Sequence, residues 1–221
     1  MLGPLVVSIV AVSKGAQHKF SEIGVRDSKL LTPHRRSILF DAIRSIASEV
    51  KTDIIMPADI NEAMKKGISL NELEAIRFAR LFDTMESNIH SFYIDSPDVI
   101  AERFGIRLKM LSSKPTRVIG VKGKRSTNAA KNPVRLIAEH KADTKYPVVS
   151  AASIIAKVTR DAEISKLEKK LKFRIGSGYP SDYKTIEAVR SHLYNSKLTE
   201  HLRMRWKTLE NIKQAKISDF Y

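Results

Sequence analysis

The chain has 221 residues, 43% of them hydrophobic, which is enough for one substantial core and a small extension. Lys and Arg number 39 against 24 Asp and Glu, and the resulting charge of +15 predicts a polyanionic partner, most often nucleic acid. The lack of cysteine excludes disulfides, thiolate nucleophiles and Cys-ligated zinc.

The first half of the chain alternates strand-like and helix-like segments. The segment Leu5–Val12 is β-branched and almost continuously apolar, which predicts a strand buried on both faces. It is too short to span a bilayer and has no charged region before it, so we expect a cytoplasmic protein without membrane contact. Thr32 followed by Pro33 predicts a helix start. Further predicted elements are a strand at 52–56, helices at 59–66 and after Ser69, a strand at 91–95, and a helix from Ser96-Pro97 to about Phe104.

The second half continues the same alternation. Its predicted elements are a strand at 117–121, a basic loop at 122–131, a strand at 134–138, a helix at 148–171, a helix capped by Ser181, and a last helix at about 201–212. Strands that alternate with helices indicate an α/β layered domain. We expect this domain to cover residues 1–212, followed by a tail at 213–221.

Two aspartates end strand-like runs, and they are candidate metal ligands. Asp95 closes one apolar run, and Asp143 lies in a lysine-bearing turn after another. The alternative role for each aspartate is a helix cap. Ser96 and Pro147 already mark the starts of the next helices, which favours metal binding by Asp95 and Asp143. Paired carboxylates in a basic chain predict Mg²⁺ or Mn²⁺ and two-metal phosphodiester hydrolysis. Two ions usually need more acidic groups, and the nearest candidates by sequence are Glu139, Asp98 and Asp182.

Three neighbouring polar or aromatic residues each allow two interpretations. His140 is more often a hydrogen-bonded structural group than a catalytic one, and Lys141 either contacts a phosphate or lies in solvent. Tyr179 sits in the glycine-bracketed turn 176–182. Its ring either plugs a rigid loop or stacks on a sugar or base.

Several segments resemble motifs of ribonuclease HII, especially of its archaeal members, and they occur in the same order along the chain as in that family. They are 25–32 (VRDSKLLT), 70–75 (LNELEA), 93–95 (YID), 139–157, 176–182 (GSGYPSD) and 205–208 (RWKT), and the central block is the most specific. The resemblance implies an RNase H-like fold with a mixed central sheet flanked by helices and a helical C-terminal region. It also implies cleavage on the 5′ side of a ribonucleotide in an RNA–DNA hybrid or in ribonucleotide-containing duplex DNA.

The resemblance also implies roles for individual residues. Asp95 and Asp143 correspond to metal ligands, and two divalent ions, Mg²⁺ or Mn²⁺, are expected. Tyr179 corresponds to a tyrosine that packs on the ribose at the RNA–DNA junction, where the 2′-hydroxyl is the distinguishing group. Lys29 and Lys141 are expected to contact phosphates.

One departure from the family concerns its opening strand. That strand ends in a G-I-D-E-A-G-R-G-type motif shortly before a Gly-Pro, and here Gly3-Pro4 matches that Gly-Pro. The first family strand and two of four expected carboxylates would therefore fall upstream of residue 1. Our hypothesis is that the natural polypeptide begins roughly a dozen residues earlier, and that the chain as written is poorly folded or inactive.

The last residues match a sliding-clamp-binding pattern, Q-x-x-h-x-x-a-a. Gln214, Ile217, Phe220 and Tyr221 occupy its defined positions, which predicts binding to a PCNA-type clamp. The alternative is a frayed terminus that folds back on the domain.

Three functions compete on this sequence. The first is a metal-dependent ribonuclease of the RNase H type 2 class, expected to be a monomer. The second is a nucleic-acid-binding clamp partner without catalysis, which the missing carboxylates would permit. The third is a resolvase- or integrase-like nuclease, which explains the carboxylates but not the tyrosine turn.

Overall fold

A computed structural model of the protein describes residues 1–120 and 132–218, with side chains described as far as residue 214. The chain divides into two compact units. The sheet unit comprises Val7–Asp53 and Asn71–Val158, and the helical unit comprises Met1–Val6, Ile54–Leu70 and Thr159–Tyr221.

The elements alternate as the sequence predicts. In chain order they are β1 Leu5–Ala11, α1 Gln17–Glu22, α2 Pro33–Ile46, β2 Glu49–Ile55, α3 Pro57–Lys65, α4 Leu70–Asp83, β3 Ser91–Asp95, α5 Ala101–Leu111, β4 Thr116–Val118, β5 Val134–Glu139, α6 Ala142–Lys145, α7 Pro147–Leu171, α8 Tyr183–Ser191, α9 Ser196–Thr199 and α10 Lys207–Ser218. A 3₁₀ turn covers Ser28–Leu30.

The strands form two sheets among the described residues. One has the order β3-β5-β4, with both pairings parallel, and Asp95 at the end of β3 is in register with Glu139. The other contains β1 and β2, where Ser8 contacts Thr52 and Ala11 accepts a hydrogen bond from the Ser48 backbone, an antiparallel order of contacts. In the described chain, β1 and β3 therefore each have one hydrogen-bonded neighbour and one open edge.

Each unit has its own apolar core. In the sheet unit, the rings of Phe82 and Phe92 stack 4.7 Å apart, and Phe104 is fully buried against the same cluster. In the helical unit, the core is built from residues such as Ile175 and Val189, both fully buried. Burial of this apolar surface is the main stabilising contribution in each unit.

Most predicted boundaries agree with the structure, and the capping arguments have mixed outcomes. Thr32 caps α2 by accepting a hydrogen bond from the Arg35 backbone at 3.2 Å, as predicted. The predicted helix from Ser96-Pro97 is wrong, because α5 begins only at Ala101. The backbone of Ser96 instead donates to Glu139, so the chain is still bonded to β5 after β3 has ended.

Later boundaries differ for local reasons. The cap of α8 is Asp182, which accepts from the Lys184 backbone at 3.0 Å, rather than Ser181. The last helix begins at Lys207 rather than near residue 201. It runs to Ser218 rather than ending near residue 212, since Lys, Gln and Ala favour helix. The strand predicted to reach Val121 ends at Val118, and the basic loop 122–131 lies outside the described residues. No helix in the described ranges is long and apolar enough to cross a membrane.

Candidate metal and nucleic-acid site

Asp95 lies where β3 ends, and its side chain is tied to the turn that follows β5. Its Oδ1 accepts a hydrogen bond from the backbone of Ala142 at 3.1 Å. The pairing of β3 with β5 is parallel, so the two strands end at the same edge of the sheet. The sequence argument favoured metal binding over a hydrogen bond to the backbone for Asp95. The exclusion of a backbone hydrogen bond is wrong, because this carboxylate binds the backbone of the residue next to Asp143.

Asp143 lies in the short helix α6 and is 9% exposed. Its backbone carbonyl accepts a hydrogen bond from the Ser150 hydroxyl, which fixes α6 against the start of α7. Burial, and after it the negative charges of Asp95 and Asp27, raises the pKa of the Asp143 carboxyl, whereas Lys29 opposes this shift. A cation beside the buried Asp143 carboxylate would offset both the burial and the neighbouring negative charges.

The loop that carries Asp27 and Lys29 is fixed by hydrogen bonds to buried groups. Arg36 donates to the carbonyls of Ser28 at 3.0 Å and Leu31 at 2.7 Å, and the Ser28 hydroxyl contacts Ser153 on α7 at 3.0 Å. The Asp27 carboxylate accepts from the Lys29 backbone at 2.9 Å. Sequence reasoning missed Asp27 and Arg36, although Asp27 lies two residues before Lys29 in the family-like segment 25–32.

The other acidic candidates are engaged elsewhere. Glu139 accepts from Lys145 at 2.6 Å and from the Tyr146 hydroxyl at 3.2 Å. Asp98 accepts from Asn71 at 2.9 Å and pairs with Arg107 at 3.1 Å. Asp182 belongs to a turn of the helical unit. Over residues 1–120 and 132–218, no cluster of three or more His, Asp or Glu side chains is placed to hold an ion.

The two carboxylates nevertheless fit a hard divalent cation. Magnesium is commonly bound by one or two carboxylates together with waters and substrate phosphates, and oxygen donors are the type it prefers. Asp95 and Asp143 supply that donor type at one place. The described part of the site fits one such ion better than two, because holding two ions generally takes further acidic groups.

Two flanking residues occupy distinct local conformations. Lys141 is exposed and adopts φ 55°, in the left-handed region that few non-glycine residues enter. A ring nitrogen of His140 lies 3.2 Å from the Val99 carbonyl, which is the structural role expected for it. Lys29 is exposed as well, so both lysines are accessible to a phosphate.

A cavity of about 860 Å³ separates the open edges of β1 and β3 within the sheet unit. On one side it is lined by the end of β1 and the two residues that follow, 9–13, and on the other by Ser91–Asp95 of β3. Asp143 also lines it. The cavity therefore extends along both strand edges and reaches the acidic pair.

Tyr179 lies in the helical unit and is described with that unit. The turn before it contains Gly176 and Gly178, both with φ near +70°, where glycine is favoured. The Asp182 carboxylate accepts from the backbone and the hydroxyl of Ser177, both at 2.7 Å. These bonds lower the pKa of Asp182. The turn is thus held by several hydrogen bonds, and Tyr179 remains 41% exposed.

The residues of the predicted clamp-binding tail are only partly described. Gln214 is exposed on α10. The Ile217 side chain, Phe220 and Tyr221 lie outside the described residues.

Comparisons with known proteins identify the family. The family model for ribonuclease HII matches residues 1–209. The chain belongs to the ribonuclease HII family. The ribonuclease HII of Pyrococcus furiosus is 40% identical over 216 residues, covering 97% of this chain and 86% of that protein. The protein of the same name from Archaeoglobus fulgidus is 36% identical over 222 residues, covering 100% of this chain and 94% of that one.

Solved structures confirm the RNase H-like α/β fold. Ribonuclease H2 from Pyrococcus horikoshii OT3 superposes with a TM-score of 0.79 at 35% identity, over 97% of this chain and 92% of that one. The ribonuclease HII of a PCNA complex from Archaeoglobus fulgidus gives 0.79 at 36% identity, over 99% and 94%. Bst-RNase HIII gives 0.74 at 17% identity, over 97% and 65%, which shows the fold alone. Ribonuclease HII family members are nucleases of the RNase H type, and this chain is a member over nearly its whole length.

Proposed function

We propose that the chain is an endoribonuclease that cleaves the RNA strand of RNA–DNA hybrids and the 5′ side of ribonucleotides embedded in duplex DNA. The products would carry 3′-hydroxyl and 5′-phosphate ends. The observation that carries the proposal is the contact between the Asp95 carboxylate and the turn bearing Asp143. This contact supports a site for a hard cation in a chain of charge +15 that belongs to the ribonuclease HII family.

The proposed cofactor is Mg²⁺ or Mn²⁺, with Asp95 and Asp143 as its protein ligands and two ions in the complete site. When bound, such ions stabilise the attacking and leaving oxygens of phosphodiester hydrolysis. The chain itself contributes the positions of the two carboxylates. The hydrogen bond from Ala142 orients Asp95, and burial keeps Asp143 from being fully hydrated.

The test is a labelled DNA duplex with one ribonucleotide, incubated with Mg²⁺ or with Mn²⁺. We expect cleavage directly 5′ of the ribose and none in an all-DNA duplex. Asp95→Asn and Asp143→Asn should each lower the rate by at least about 100-fold, because a metal ligand is lost. The matched control is Asp41→Asn, which changes an exposed carboxylate on α2 and should leave the rate unchanged. Equal cutting of the all-DNA duplex would contradict the proposal and favour a resolvase-like nuclease.

The second candidate is a nucleic-acid-binding clamp partner without catalysis. The finding that favours it is that, within the described residues, no group of three or more His, Asp or Glu side chains is placed to hold an ion. Binding of the same duplex with no cleavage in either metal would support this candidate over the enzyme.

Lys29 and Lys141 are proposed to contact phosphates. Each alanine variant should weaken duplex binding and lower the slope of log affinity against log salt by about 1. Lys109→Ala is the matched control. Lys109 is exposed and lies near the C-terminal end of α5, which precedes the first residue of β4. That end of the sheet is opposite Asp95, because β4 and β3 are both parallel to β5. If all three variants have the same slope of log affinity against log salt, the assignment of Lys29 and Lys141 as phosphate contacts is wrong.

The C-terminal residues 213–221 are proposed to bind a PCNA-type sliding clamp. The Archaeoglobus fulgidus relative was solved as a PCNA complex, and Gln214 of this chain is exposed as the pattern requires. Truncation after Lys213 or Phe220→Ala should abolish clamp pull-down without lowering binding to naked duplex. Lys216→Ala, at a position the pattern leaves open, should change neither. Clamp binding that survives the truncation would disprove this role.

A further inference from the structure

A buried arginine lies beneath the turn that carries Tyr179. Arg160, on α7, is 5% exposed and donates to the Ser177 carbonyl at 2.8 Å. Its guanidinium carbon lies 3.9 Å from the centroid of the Tyr179 ring. Both contacts fall within the helical unit. A guanidinium at this distance from an aromatic face is attracted by the negative face of the ring.

Arg160 has little conventional charge compensation. The carboxylate of Asp161 approaches its guanidinium only to 3.9 Å and belongs to a partly exposed side chain. Burial lowers the pKa of Arg160, but a guanidinium stays protonated in proteins. A buried charge without a close carboxylate is costly, so the ring and the Ser177 carbonyl account for much of its stabilisation in the described structure.

The backbone of the turn is also fixed by other groups. The Thr185 hydroxyl accepts from the Gly178 backbone at 2.9 Å and donates to the Ile175 carbonyl at 2.8 Å. The Asp182 carboxylate binds Ser177 as described above. These contacts hold the main chain but do not fix the torsions of the tyrosine side chain. The stacking of Arg160 on the ring restricts these torsions directly.

We infer that Arg160 is a positioning residue that holds the Tyr179 ring in the orientation needed to pack on a ribose. The inference rests on the proposed function of Tyr179 as the ribose contact and names a second residue on which that contact depends. Arg160 acts through the ring, so its loss lowers the preference for a ribonucleotide and has little effect on general affinity for DNA. The ring is 41% exposed, which leaves room for a sugar beside the covered part.

The experiment is a double-mutant cycle read by equilibrium binding, which does not require cleavage. Fluorescence anisotropy gives the Kd for a duplex with one ribonucleotide and for the all-DNA duplex of the same sequence. The measured quantity is the ratio of the two Kd values for the unaltered protein, Arg160→Lys, Tyr179→Leu and the double variant. Lysine keeps the charge but loses the planar stack and the fork of donors. Arg174→Lys is the matched control, because that arginine is exposed in the same unit.

We expect Tyr179→Leu to reduce the ratio toward 1 and Arg160→Lys to reduce it roughly threefold to tenfold. The double variant should be no worse than Tyr179→Leu, and Arg174→Lys should match the unaltered protein. If Tyr179→Leu leaves the ratio unchanged, the ribose contact itself fails and the inference fails with it. If only Tyr179→Leu acts, or if the two changes are additive, the positioning role is overturned while the ribose contact stands.

A second measurement avoids any variant at Arg160. The ring should shift the side-chain Nε–H proton resonance of Arg160 upfield in the unaltered protein, and Tyr179→Leu should remove this shift. An Nε–H resonance that is unaffected by Tyr179→Leu would overturn the inference even if Arg160→Lys were too unstable to study.

Discussion

Replacing Thr185 by Val is expected to destabilise the helical unit far more than its small chemical change suggests. Thr185 is fully buried, and its hydroxyl joins the Gly178 backbone at 2.9 Å to the Ile175 carbonyl at 2.8 Å. Valine has nearly the same shape but cannot donate or accept. The substitution therefore leaves one N–H and one carbonyl without this partner in the interior. Each such loss costs about 1–3 kcal/mol, so we expect about 2–4 kcal/mol after partial relaxation.

The assay is thermal unfolding followed by far-ultraviolet circular dichroism. For a chain of this length, each kcal/mol lowers the midpoint by about 2–4 °C, so Tm should fall by roughly 4–16 °C. Thr84→Val is the matched control, because Thr84 is exposed and its hydroxyl donates to the nearby Leu81 carbonyl at 2.8 Å. Its Tm should change by less than about 2 °C. If the two variants melt within about 2 °C of each other, the hydrogen bonds of Thr185 do not stabilise the turn.

Three further predictions concern the turn and the acidic pair. Gly178→Ala would place a Cβ atom 2.7 Å from a backbone oxygen at a residue with φ +77°, and it should lower Tm. Gly67→Ala is the control, because Gly67 has φ +79° but no atom within 4 Å of the added Cβ. It tests backbone strain alone and should lower Tm by less. The pKa of Asp182 is lowered in the folded state, so its stabilising contribution is complete above the unfolded value of about 4 and is lost as pH falls through the lower folded value. Urea unfolding should therefore show Asp182→Asn clearly less stable at pH 7, with a difference that narrows toward pH 3; a constant difference would contradict this linkage. The pKa of Asp143 is raised, so its charge costs stability at neutral pH, and Asp143→Asn should raise Tm without divalent cation while reducing the further increase that Mg²⁺ produces. A lower Tm in metal-free buffer would show that burial and repulsion by Asp95 do not make the Asp143 charge destabilising.

Local signals in the sequence predicted much of the fold, and long-range contacts account for most of the errors. Thr32-Pro33 and Ser96-Pro97 have the same pattern of a hydroxyl residue before proline, yet only the first begins a helix. The second fails because the Ser96 backbone bonds to Glu139, a partner more than 40 residues away. No local rule contains that partner, so the start of α5 was placed too early.

In the candidate site, too, local sequence patterns identified the acidic residues, whereas contacts between distant residues could not be predicted. Asp95 and Asp143 could be selected as strand-end carboxylates, and the structure brings them together. The hydrogen bond from Ala142 to Asp95 could not be inferred, because it depends on the register between β3 and β5. The contact of Arg160 with Tyr179 could not be inferred from the helix pattern, because the two residues meet only in the folded chain. A charge on the buried side of an otherwise apolar helical face was the signal that could have identified Arg160.

The open edge of β1 has a consequence for amide hydrogen exchange. A strand bonded on one side directs alternate N–H groups away from its partner, and those on β1 face the cavity that Ile9 and Val10 line. Side chains along β1 are buried, so low solvent exposure would ordinarily suggest slow exchange throughout. We expect instead an alternating pattern of slow and fast amides along Leu5–Ala11, in which every second position exchanges like a surface strand although its side chains lie in the interior.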